Sequence, residues 1–376
     1  MAAPKLRFKE FDGDWSAQKY KDVLTIKYGK DHKLLEDGEI PVYGTGGVMR
    51  YVNQYLYDGE SILIGRKGTI DQPKYVNEKF WTVDTLFYSE IKQNIYPLFI
   101  YQHALQVNWL GLNEATGVPS LNTTSINNVD IYLPSKEEQT KIASFLSAVD
   151  EKISQLTQKH ELLSQYKQGM MQKLFSRQIR FKADDGSEFG EWEETTVGQT
   201  GKFIGGGTPS KENQKFWEGS IPWISSSDLI DASIFKINIS RYISEEALSQ
   251  SATKLIPANS ILIVSRVGVG KVAITTNEIC TSQDFTSLSL SGGKPIFFAY
   301  LIKSLTPYLL EMNQGTSIKG FVKDDLANLT VKIPCIEEQT KIANFLSTID
   351  QKIDVVAQQI EQAKVWKKGL LQQMFV

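Results

Sequence analysis

A block of sequence written twice, 200 residues apart, most constrains what this chain can fold into. Residues 134–153 read PSKEEQTKIASFLSAVDEKI and residues 334–353 read PCIEEQTKIANFLSTIDQKI, with Glu137–Ala143 identical to Glu337–Ala343. After Pro134, the residues Ile142, Val149, Leu156, Leu163 and Met170 recur every seven positions, interleaved with Leu146, Ile153, His160, Lys167 and Leu174. The second copy repeats the stripe with Ile342, Ile349, Val356, Ala363 and Leu370, interleaved with Leu346, Ile353, Ile360, Lys367 and Met374. A seven-residue apolar period puts one stripe on one face of a helix, and that stripe is covered by a facing helix. Each helix is expected to run roughly 40 residues, about 60 Å at 1.5 Å per residue. Ser135 and Glu138 form an S-x-x-E capping box at the first start, which Cys335 spoils in the second copy. The first helix leaves one globular segment and delivers the chain to another, so mutual packing of the stripes demands an antiparallel pair. Lys167 and Lys367 fall within the stripe, which leaves those turns to splay or to snorkel their ammonium groups outward.

A weaker repeat precedes each globular segment. Arg7-Phe8-Lys9 with Gly13-Asp14-Trp15 is echoed by Arg180-Phe181-Lys182 with Gly190-Glu191-Trp192. The plan is therefore lead-in motif, variable segment, long helix, written twice. The variable segments, about 16–134 and 193–333, are rich in Gly, Asn, Ser, Thr and β-branched residues and read as α/β (α+β) domains. Short strands are expected at Ser61–Gly65 and Ser260–Ser265, and helices at Pro97–Gln106 and Pro295–Met312. At 376 residues with 41% hydrophobic and 22% charged residues, the chain has the material for two or three cores. No apolar run approaches a membrane span, and the N-terminus lacks a secretory core. Two cysteines cannot make a disulfide framework, which points to a cytoplasmic location. A net charge of −2 argues against wrapping by nucleic acid, but not against a local basic groove.

With the duplicated P-x-x-E-E-Q-T-K-I-A-x-F-L-S-x-x-D-x-K-I block, the helix after each copy and the two R-F…G-x-W motifs, the chain resembles the specificity subunits of type I restriction–modification systems. The resemblance covers essentially the whole length. It implies target recognition domains at 1–134 and 177–334, and spacer helices at 135–176 and 335–376 that form an antiparallel coiled coil. Each domain would read one half of a bipartite site on double-stranded DNA. It implies docking of two methyltransferase subunits, which bind S-adenosylmethionine, and of translocating endonuclease subunits. The chain itself would carry no cofactor and no catalysis.

Catalytic constellations are missing from the sequence. Ser265-Arg-Val-Gly-Val-Gly-Lys271 approaches a phosphate-binding loop, but serine stands where its first glycine belongs and Val272 follows the lysine. The three histidines, His32, His103 and His160, have no metal-ligand spacing. The loops that match between the variable segments are more informative. Ser61–Thr69 and Ser260–Gly268 are each an apolar strand running into a basic, glycine-containing turn, and Asn113–Asn122 pairs with Asn313–Phe321. Tyr43–Gly47 and Ser225–Ser227 form a third pair. Basic, small and hydroxyl side chains on such turns suit phosphates and base edges; the plain reading is solvated turns closing core strands. The candidate DNA contacts are Arg66, Lys67, Thr69, Thr116, Ser120, Ser226, Arg266, Lys271, Thr316 and Lys319. The duplicated face offers Glu138, Gln139, Lys141, Phe145, Glu338, Gln339, Lys341 and Phe345 as a candidate partner surface for two like subunits. The competing reading is a scaffold or inhibitor with two ligand-binding domains and no DNA role.

Overall fold

The computed structural model describes residues 3–312 and 320–376. The chain divides into two compact units, one of Met1–Gln158 with Val356–Val376, the other of Lys159–Val355. The heptad stripes do form long helices, Lys136–Phe175 of 40 residues and Ile336–Met374 of 39. Each unit holds the start of one helix against the end of the other. In the first unit Leu146 and Val149 share a core with Leu370, Leu371 and Met374; in the second Leu174 shares one with Ile342, Leu346 and Ile349. Start against end is the antiparallel sense that connectivity required. Ile142, Val149, Leu156, Ile342, Ile349 and Val356 are buried, and Leu163 and Ala363 half-buried.

Two local expectations change. Lys167 and Lys367 neither splay nor snorkel. Lys367 Nζ lies 2.6 Å from Asp150 Oδ1 in the first unit, and Lys167 Nζ lies 2.5 Å from Asp350 Oδ1 in the second. A carboxylate on the facing helix holds each ammonium where it enters the seam, so no stretch to water is needed. Only half of the capping box forms. Ser135 Oγ accepts from the Glu138 backbone N–H at 3.3 Å, but the Glu138 side chain turns instead to Arg7. An ion pair outcompetes a neutral amide for that carboxylate.

Each variable segment opens and closes on one short antiparallel pair. Ser16–Lys19 pairs with Asp130–Leu133, and Glu193–Thr196 with Thr330–Ile333. Between these strands the segments share one strand order, with two long strands of the first each broken in two in the second. The first builds a six-stranded sheet in the order Leu24–Tyr28, Leu86–Ile91, Tyr57–Gly65, Lys74–Thr82, Asp37–Gly44, Gly47–Val52. The second builds two four-stranded sheets, Gly201–Gly205, Thr286–Leu290, Ile261–Ile263, Val272–Ile274 and Arg241–Ile243, Ile221–Ile224, Ile279–Thr281, Leu255–Ile256. One parallel pair recurs in both, Val42–Trp81 and Trp223–Cys280. The expected helices appear as Pro97–Ala104 and Pro295–Met312, each with proline at its first turn, where a missing N–H costs nothing. Phe99 and Phe297, equivalent residues of these helices, are fully buried in the cores that also hold the heptad residues.

Candidate nucleic-acid interface

The lead-in motif and the duplicated block explain each other. Arg7 forks onto Glu138, Nε to Oε1 at 2.7 Å and Nη2 to Oε2 at 2.8 Å, and also donates to the carbonyls of Asp12 and Gly13. Arg180 does the same with Glu338, at 3.2 and 2.8 Å, and with the carbonyls of Phe189 and Gly190. These hydrogen bonds hold both guanidinium pKa values above the ordinary arginine value. Gln139 donates to the Pro134 carbonyl and accepts from the Tyr96 N–H; Gln339 donates to Pro334 and accepts from Lys294. Each glutamine thereby ties a long helix to the residue just before Pro97 or Pro295.

This corrects the expected partner surface. Glu138, Gln139, Glu338 and Gln339 are between 0% and 5% exposed and spent on internal bonds, so the block repeats because it clamps each unit. What remains outward differs. Phe145 is half-buried between Phe8 at 5.8 Å and Trp366 at 6.1 Å, and Trp366 is 54% exposed. Lys141 is exposed beside Glu10 and over the Phe8 ring. In the second unit Phe345 packs edge-on against Phe181 at 5.5 Å, and Lys341 is half-drawn onto Asp184 and the Lys182 carbonyl.

The matching loops converge within each unit. In the first, Arg66 and Lys67 donate their backbone N–H groups to the Thr85 carbonyl, Gly68 N–H donates to Pro119, and Leu121 N–H donates to Arg66. Lys67 and Ser120 form an isolated antiparallel bridge. Gly65 has to be glycine, since a Cβ there would lie 2.1 Å from the Thr69 carbonyl oxygen. Gly68 sits at φ +95°, and a Cβ on it would come within 3.9 Å of Thr45 Oγ1, which brings the 43–47 hairpin turn to the same place. Asn113 shapes the third loop by accepting from the Ala115 and Ser120 N–H groups. The guanidinium of Arg66 lies 5.5 Å over the Tyr28 ring and donates to the Asp84 carbonyl at 3.0 Å. Arg66, Lys67, Thr69 and Thr116 are exposed, and Ser120 is half-buried. Beside them a cleft of about 600 Å³ is lined by His32, Thr45, Met49, Asp84 and Thr85 among others.

In the second unit Ser265 N–H donates to Asp284 and Phe321 N–H donates to Ser265, the bonds that Arg66 makes in the first. Ser265 is therefore the counterpart of Arg66, and Arg266 that of Lys67. The equivalent basic residues of the two turns are Lys67 and Arg266, both exposed. Lys271 is half-buried and spends its ammonium on the Ser226 carbonyl at 3.0 Å, and Ser226 itself is buried; both shape the loop more than they offer themselves to a ligand. Thr316 and Lys319 lie outside the described residues. Sequence reasoning missed Arg241, which stacks 4.7 Å over Trp223, pairs with Asp228 and donates to Ser225 Oγ. Nothing in the spacing of these residues along the chain signals that group.

Among the described residues no cluster of His, Cys, Asp and Glu could hold a metal ion, and no helix is long and apolar enough to cross a membrane. Two exposed, basic, glycine-bearing loop clusters on sheets of matching strand order, each carried by the same clamp, are the chain's distinctive surface.

Comparison with known proteins agrees. The EcoR124I/EcoR124II type I restriction enzyme specificity subunit of Escherichia coli is 38% identical over 173 residues, 43% of this chain and 41% of that one. The MjaVIII specificity subunit of Methanocaldococcus jannaschii is 24% identical over 97% of this chain and 94% of its own. Two further M. jannaschii relatives are spanned over only 66% and 43% of their lengths. A crystal structure of the type I restriction–modification S subunit from M. genitalium shares the fold, with TM-score 0.63 at 16% identity over 100% of this chain and 99% of that one. Residues 12–165 and 190–365 match the type I restriction modification DNA specificity domain, and the chain belongs to that family.

Proposed function

We propose that this chain is the non-catalytic DNA-specificity subunit of a cytoplasmic type I restriction–modification complex, with recognition domains at 1–134 and 177–334 that each read one half of a bipartite duplex target. The observation that carries the reading is the duplication itself: one clamp of lead-in motif and helix start, repeated nearly unchanged, presents two loop clusters of unlike residues. A repeated carrier with unlike loop residues suits two readers of different sequence. The paired helices, 135–176 and 335–376, act as the ruler that sets the gap between half-sites.

The exposed turns divide the work. Lys67 and Arg266, at equivalent places in readers of different sequence, bind phosphate, which looks alike at every site. Arg66, Thr69, Ser120 and the group around the 600 Å³ cleft vary between the units and contact base edges. Two methyltransferase subunits, which supply S-adenosylmethionine, dock on the outward aromatic surfaces around Phe145 with Trp366 and around Phe345, and endonuclease subunits join that assembly.

Mapping methylated bases in a host that carries the assembled system tests the reading. A split, asymmetric motif is expected, and replacing residues 16–134 with a relative's segment should change one half-site only. An unsplit motif, or simultaneous change of both halves, overturns it.

A further inference from the structure

Each seam lysine pairs with an aspartate whose second oxygen is also taken. In the first unit Asp150 Oδ1 holds Lys367 Nζ at 2.6 Å, and its Oδ2 accepts from Gln102 Nε2 at 3.0 Å. In the second, Asp350 Oδ1 holds Lys167 Nζ at 2.5 Å, its Oδ2 accepts from the Tyr300 hydroxyl, and Lys167 lies 5.3 Å over the Tyr300 ring. Gln102 and Tyr300 are equivalent residues of the helices Pro97–Ala104 and Pro295–Met312, which belong to the variable segments. One carboxylate therefore joins three helices: both members of the long pair and the recognition segment's own.

Charge placed in an apolar seam adds little stability over a well-packed apolar pair, but it penalises every other register. A slip along the seam would leave the lysine unpaired in either unit, and in the second the buried aspartate as well. The same slip would break the bond to Gln102 or Tyr300 and turn the recognition segment with it. The two joints are unequal. Asp350 is 7% exposed and Asp150 38%, while their partners Tyr300 and Gln102 are both buried.

From this geometry we infer that Asp150 and Asp350 are positioning residues for DNA reading: each locks its recognition segment to one helix register, and the Lys167–Asp350–Tyr300 joint is the stricter lock. The inference rests on the recognition role proposed above. It makes the selectivity for gap length depend on residues far from any DNA contact.

The test uses the complete methyltransferase complex and a library of duplexes whose half-sites are native and whose gap is varied by one and two base pairs. The wild-type complex should methylate one gap length. Tyr300→Phe, which removes a single hydroxyl, should raise methylation at gaps one base pair off by about tenfold relative to the native gap, with the half-sites unchanged. The paired change Lys167→Met with Asp350→Leu, made in the Tyr300→Phe background so that no buried hydroxyl is orphaned, refills the joint with apolar side chains. It should keep the wild-type melting temperature within a few degrees yet lose gap selectivity further, and Gln102→Leu should have a smaller effect than Tyr300→Phe. A native gap distribution in both Tyr300→Phe and the paired variant, whatever their rates, overturns the inference. A wild-type complex that shows no split target overturns the recognition role instead, so the two failures are distinguishable.

Discussion

Removing Glu338 should cost more than removing its counterpart Glu138, and the reason lies in one indole. Glu338 is fully buried. Its carboxylate accepts from Arg180 at 2.8 and 3.2 Å and from Trp192 Nε1 at 3.0 Å. Glu138 makes the equivalent fork with Arg7, but Trp15 Nε1 makes no hydrogen bond among the described residues. Breaking a buried ion pair by deleting one member costs about 3–5 kcal/mol. An orphaned buried donor costs about 1–3 kcal/mol more. Groups that share one carboxylate are not additive, and Arg180 keeps its carbonyl contacts, so about 4–5 kcal/mol is expected for Glu338→Ala and about 3 for Glu138→Ala. Because a chain of two units need not unfold in one step, the assay is native-state amide hydrogen exchange, read at Ala343–Ile349 for one clamp and Ala143–Val149 for the other. A loss of 4 kcal/mol lowers protection by about three orders of magnitude, since each 1.4 kcal/mol is tenfold. The double variant Arg180→Ala with Glu338→Ala should recover part of the loss, because no unpaired charge is then left behind. Equal losses for Glu138→Ala and Glu338→Ala, or less than about threefold at Ala343–Ile349, would refute the clamp.

Leu156→Asp places a charge at a seam position only 8% exposed, and should destabilise the first unit by at least about 3 kcal/mol; a change within 0.5 kcal/mol in denaturant titration counts against a packed seam. Burial holds the His103 imidazole, hydrogen-bonded to the Tyr20 hydroxyl, down at about 4. Its folded pKa lies below the unfolded value near 6.5, so the unfolded chain takes up the proton first; stability should fall by up to about 3 kcal/mol between pH 6.5 and 4 and level off below. His103→Gln should remove that part of the slope in pH-dependent melting. Arg266→Ala should weaken binding of the assembled methyltransferase to specific and nonspecific DNA alike, and make the salt dependence shallower by about one counterion. Relaxed specificity at one base pair would mark Arg266 as a direct reader.

Periodicity made the long helices legible, because an apolar residue every seventh position has only one helical solution and chain connectivity then sets the sense of the pair. The duplication likewise showed that the lead-in motif and the block were structural units, and the strand into a basic turn was visible as Ser61–Thr69 and Ser260–Gly268. What each repeated residue does was not. Glu138 and Glu338 read as surface charges on a helix start, yet they are buried, since their arginines lie 131 and 158 residues earlier and only folding brings them together. The seam lysines read as defects until their partners came from the facing helix. The match of Ser61–Thr69 with Ser260–Gly268 sets Lys67 opposite Arg266, and the backbone ladder pairs the same two residues. Local sequence therefore determined which elements form and that they form twice, because turn chemistry and apolar period act over a few residues. The tertiary structure alone decided which polar groups face inward and which remain outward, because a charge is buried only where a distant partner meets it.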